Sequence, residues 1–65
     1  MELIINGSLR ELEAENLAEV VGLLGLTGKP VAAEADGQIV SSEEWKQMAV
    51  RPGMRIELVH FVGGG

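Results

Sequence analysis

No cysteine occurs among the 65 residues, which excludes disulfides and thiolate metal sites. The one histidine, His60, cannot supply a multi-histidine metal site. No apolar run approaches the roughly 20 residues that a membrane-spanning helix needs. The opening "MELIING" has neither a basic start nor a long apolar stretch, so it does not read as a signal peptide. A soluble cytoplasmic protein is the expectation. Bases are scarce, five against ten acids, for a net charge of −5. That argues against a nucleic-acid partner, whose phosphates demand a basic footprint. It suits plain solubility, the reading charge favours, and is compatible with a protein partner that carries a basic patch.

What the chain does have is apolar residues, 46% of the total, ample for a globular core. Its length fits one domain. A domain this small buries only about 60% of its unfolded-chain surface, so its margin of stability is thin.

Local patterns set out an order of elements. "ELIIN" (Glu2–Asn6) reads as a strand. Asn6-Gly7 is a strong hairpin signal, because both positions tolerate positive φ. "LRELE" (Leu9–Glu13) reads as the returning strand. Asn16 is placed to cap a helix, with Glu19 three residues on as in a capping box. Leu17, Val20, Val21 and Leu24 then share one helical face. Gly22 weakens that helix by roughly 1 kcal/mol relative to alanine, and Gly25 can close it.

"VAAEAD" (Val31–Asp36) is a weak strand pattern, since alanine is a poor strand former. It rests on the Asp36-Gly37 turn and on "QIV" (Gln38–Val40) beyond. "SSEEWKQM" predicts a short helical turn with serine caps. Pro52-Gly53 signals a type II turn, and "MRIELVHF" (Met54–Phe61) the last strand.

The first and last strands are the most apolar and should lie centrally. A mixed sheet of four to five strands crossed by one helix would bury Leu3, Ile5, Leu9, Leu17, Val20, Val21, Leu24, Val31, Ile56 and Leu58. That is an α+β chain of the β-grasp, ubiquitin-like arrangement. The domain would span 1–61, followed by a flexible glycine-rich tail, 62–65.

Little here suggests catalysis. The serines occupy turn and cap positions, the acids do not converge, and "GLTGK" lacks the spacing of a phosphate loop. No catalytic and no metal-ligating residue is therefore assigned. Trp45 should cap one end of the core with its indole N–H near water. In the last strand Ile56 and Leu58 should point inward, and Arg55, Glu57, Val59 and Phe61 outward. Val59 and Phe61 with Ile4 of the neighbouring strand would then form an apolar docking patch, with Val62 beside it.

The last residues are Val62, Gly63, Gly64 and Gly65. Extended, they reach roughly 13 Å. Backbone without Cβ can enter a narrow channel, and the terminal carboxylate is its one reactive group. With a pKa near 3.5 that group is ionised and poorly electrophilic, so it needs activation, for instance as a mixed anhydride with a nucleotide. A frayed chain end is the other reading, and composition leaves both open.

The pieces "IING", "VVGLLGL", "VAAEADGQIVSSEEW" and "VRPGMRIELVHFVGGG", in that order, resemble the ThiS family. These are bacterial sulfur carrier proteins of thiamine (thiazole) biosynthesis. The resemblance implies a carrier rather than an enzyme. An adenylyltransferase would use ATP and magnesium to adenylate the carboxylate of Gly65. A sulfur donor, such as a cysteine desulfurase pathway, would convert it to a thiocarboxylate, and thiazole synthase would take the sulfur. Gly63 and Gly64 match the family ending. Val59, Phe61 and neighbouring sheet residues would face the adenylyltransferase.

Met54 stands where the family commonly has aspartate, and "AEAD" replaces the more usual asparagine-glycine turn. Three alternatives stay open. The chain could be the small subunit of molybdopterin synthase, a ubiquitin-like modifier joined to lysines through Gly65, or an interaction domain with an idle tail.

Overall fold

The computed structural model describes residues 1–61. The expected tail, 62–65, with Val62, Gly63, Gly64 and Gly65, lies outside the described residues.

Two tight turns of the same kind make the hairpins. Strand β1 (Glu2–Ile5) turns through Asn6-Gly7 into β2 (Ser8–Glu11). Strand β3 (Val31–Ala35) turns through Asp36-Gly37 into β4 (Gln38–Val40). Asn6 and Gly7 have φ of 50° and 82°, and Asp36 and Gly37 have 49° and 86°. Positive φ at both central residues is the type I′ geometry whose twist matches paired strands. Aspartate for asparagine therefore leaves the second turn intact.

Helix α1 (Leu17–Leu23) begins at Asn16, whose side chain accepts from the Glu19 N–H at 2.9 Å. The Glu19 carboxylate reaches back to the N–H of Glu15, one residue before the cap, at 2.7 Å. At the other end Gly25 takes φ 74°. Its N–H donates to the Gly22 carbonyl, and the Leu26 N–H donates to that of Val21, each at 3.0 Å. This pair of bonds is a Schellman closure.

A 3-10 helix, Ser42–Gln47, follows β4. Its predicted serine cap is not made. The Ser41 hydroxyl donates to the Glu44 side chain at 3.1 Å instead of accepting a backbone N–H. Trp45 packs partly buried against the core, and its indole N–H donates to the Val40 carbonyl at 3.0 Å rather than to water. The Pro52-Gly53 turn forms as read, with Gly53 at φ 83° and the Met54 N–H bonded to the Arg51 carbonyl at 3.0 Å. It leads into β5 (Arg55–His60).

The sheet order is β2-β1-β5-β3-β4. Strands β1 and β5 run parallel, and every other pair is antiparallel. The last strand is thus the middle of the sheet. This is the predicted mixed five-stranded β-grasp.

One sheet face and α1 enclose the core. Leu3, Ile5, Leu17, Val20, Val21, Ile56 and Leu58 are buried as expected. Leu24 and Val31 are only partly buried at its margin. Leu9 is not in the core and is 64% exposed. Register explains it: Leu9 lies opposite Ile4, not Leu3 or Ile5, so it shares the outward face. Ala33 and Ala35 are buried, as are Val40, Val50 and Met54. Strand β3 holds its alanines because β5 and β4 pair with it on both sides, which overrides weak propensity. The Met1 ammonium donates to the Leu12 carbonyl at 2.8 Å and lies against the Glu11 and Glu13 carboxylates.

Candidate functional site

The sheet face away from α1 is open. Side chains alternate along a strand, so β5 places Arg55, Glu57 and Val59 on this face while Ile56 and Leu58 enter the core. Phe61 follows the strand and is exposed. His60 falls on the inner face by alternation but lies past the core, where it too is exposed.

The apolar patch expected from Ile4, Val59 and Phe61 does not form as one surface. Strand β1 pairs with β5 only at its start, Ile4 beside Arg55 and Ile5 beside Ile56. The hairpin turn then carries the chain away. Val59 is four residues beyond Arg55, about 13 Å along the strand. Ile4 neighbours Leu9 and Arg55 instead.

Val59 has other company. It lies opposite Ala32 of β3, and Ile39 of β4 lies opposite Glu34. Ala32, Ala33, Glu34, Ile39, Glu57 and Val59 line an open groove. Ile39 is 82% exposed. It was missed from the sequence, although one signal was there: Val40 enters the core, so its predecessor must face out.

Two acids stand within this groove. Glu34 and Glu57 are directly opposite across β3 and β5, and like charges in that position oppose pairing. The groove therefore combines apolar contact area with two directly opposed negative charges. A surface offering apolar side chains around a lysine or arginine would complement it.

The strand end that leads to the terminus is held on both sides. The Phe61 N–H donates to the Pro30 carbonyl at 3.0 Å. Opposite, the Asn6 side chain accepts from the Leu58 N–H at 2.7 Å and donates to the Leu58 carbonyl at 3.1 Å. Among the described residues no group of three or more His, Cys, Asp or Glu side chains could hold a metal ion. No helix among them is long and apolar enough to cross a membrane. Gly65, the expected reactive residue, with Gly63, Gly64 and Val62, falls outside them.

Residues 3–65 match the model of the ThiS family. The chain belongs to the ThiS family. The crystal structure of a thiamine biosynthesis protein (ThiS) from Geobacter metallireducens superposes with a TM-score of 0.81 at 29% identity, covering all of both chains. An NMR solution structure of a thiamine biosynthesis protein from the same organism also gives 0.81, at 26% identity, covering all of this chain and 88% of that one. A curated protein of Paramagnetospirillum magneticum named thiazole synthase is 39% identical over 66 residues. The match takes in all of this ThiS-family chain but spans only about a fifth, 20%, of that relative's length.

Proposed function

We propose that this chain is a sulfur carrier of thiamine biosynthesis, loaded at the carboxylate of Gly65. The observation that carries the reading is the family match, which runs through residue 65 and so includes the glycine ending. The chemistry follows from what a carboxylate lacks. Gly65 attacks the α-phosphate of ATP in the partner adenylyltransferase and displaces pyrophosphate, giving an acyl-adenylate. A persulfide of the sulfur donor displaces AMP, and a second thiol cleaves the resulting acyl disulfide. The thiocarboxylate remains on the carrier. Its sulfur is nucleophilic, and thiazole synthase consumes it.

The naming of a longer relative as thiazole synthase supports that last partner. The adenylyltransferase docks on the open face through Val59, Phe61 and Ile39, with a cation set between Glu34 and Glu57. Ile4 lies apart from this contact. Magnesium and ATP belong to the adenylyltransferase, and this chain supplies the substrate.

The test is intact-mass measurement after incubation with ATP, magnesium, a cognate adenylyltransferase and a sulfur source. One oxygen at the terminus should be exchanged for sulfur. Deleting Gly65 should abolish the exchange and leave the thermal midpoint unchanged. An unmodified wild-type chain, under conditions that load a control carrier, would sink the reading. Higher-mass conjugates in cells would favour a modifier. Failure of added thiazole to rescue growth of a deletion strain would favour the molybdopterin role.

A further inference from the structure

Strand β5 outlasts its neighbour. On one side, β3 pairs with it through His60 opposite Val31. On the other, the β1 ladder ends with Ile5 beside Ile56, and the Asn6 N–H donates its last backbone bond to the Ile56 carbonyl at 2.9 Å. The next rung would have to serve Leu58, which is buried. Backbone cannot serve it, because Asn6 has already turned away at φ 50°. The Asn6 amide fills the gap. Its oxygen takes the Leu58 N–H and its nitrogen meets the Leu58 carbonyl, 52 residues away in sequence. A side-chain amide has the same donor and acceptor pair as a peptide unit.

We infer that Asn6 is a positioning residue for the reactive terminus: its amide stands in for a missing strand rung and fixes where the chain leaves the sheet. The inference rests on the carrier reading. Without this amide, Leu58 would keep two unpaired backbone groups at the core margin, and the end of β5 would be held by β3 alone. Only four residues separate Phe61 from the carboxylate, a span of about 13 Å at most. A partner that grips the groove and the carboxylate at once depends on that fixed origin, since small misplacements of a reacting group are costly.

Asn6→Gly isolates the effect, because glycine keeps the positive-φ turn and removes only the amide. Amide exchange at Leu58 should accelerate about tenfold, the effect of losing its hydrogen bonds. Acyl-adenylate formation should lose kcat by about tenfold at a temperature where the variant is fully folded. KM should change less than kcat, because Ile39, Ala32 and the acid pair are untouched and only the Val59 and Phe61 end of the docking surface loosens. Asp36→Gly is the matched control. It removes the other turn residue's bond to β5, where the Asp36 carboxylate accepts the Arg55 N–H at 2.9 Å. That end is remote from the terminus, so kcat should not change.

If Asn6→Gly does not fold, Asn6→Asp decides. It keeps the acceptor for the Leu58 N–H and loses the donor, so its kcat should fall between glycine and wild type. In the wild-type protein the Asn6 side-chain amide protons should exchange more slowly than those of a free asparagine. A wild-type chain that is never adenylated defeats the carrier reading. A loaded wild type alongside an Asn6→Gly variant with unchanged kcat overturns the role of Asn6. So does an unprotected Asn6 amide, or an Asp36→Gly variant that loses kcat equally.

Discussion

The two faces of the sheet are cut from the same strands and do opposite things. Along β5 the residues alternate between them: Leu58 is 7% exposed and its neighbour Val59 is 53% exposed. Inward residues meet α1 and pack into one core. Outward residues meet only their cross-strand neighbours among the described residues and keep apolar area in water beside two opposed acids. A domain of 65 residues has few residues to commit, and this one leaves the outward half of its central strands uncovered by any other described element. The difference teaches that core packing and open surface here are assigned one residue at a time.

The comparison breaks most visibly in the core. Ile56→Ala should cost about 2–5 kcal/mol, read as a drop in urea midpoint at constant slope. At roughly 0.05–0.15 kcal/mol per residue, the whole chain holds only about 3–10 kcal/mol. Urea curves that barely move would mean that the inner face is not a close-packed core. Next comes the groove. Val59→Thr and Ile39→Thr together keep the β-branched shape and remove two apolar groups. The urea midpoint should stay nearly constant while kcat/KM with the adenylyltransferase falls about tenfold. Equal losses in both measurements would erase the distinction between the faces. The smallest effect belongs to the acids. Glu34→Gln should raise stability by roughly 0.2–0.5 kcal/mol by relieving the opposed pair. Added salt should shrink that gain, and a gain independent of salt would point to another cause.

Features fixed within a few residues were legible in the sequence. The Asn16 cap, the Gly25 closure, the positions of both hairpin turns and the central place of the most apolar strands all read correctly. What escaped was register, which no short window contains. Leu9 faces outward because of the residue across from it, and Ile4 misses Val59 because a parallel pairing is only two residues long. The alanines of β3 read as weak strand formers, yet the strand forms because it is paired on both sides, and Ala33 and Ala35 fall on its core face. The groove was half seen: Val59 and Glu57 were placed on the outward face, Ile39 and Ala32 were not. Asn6 was read as a turn residue, and nothing local says that its amide also reaches Leu58.

The placement of β5 also has a mechanical meaning. A pull on the chain beyond Phe61 acts along the axis of the middle strand, against ladders on both flanks. Loaded in shear, those bonds share the force and must fail together, whereas an edge strand would unzip one bond at a time. Force spectroscopy through the two termini would report this as a single abrupt rupture. Force applied at that end of this small domain is therefore borne by the sheet as a whole rather than by one bond at a time.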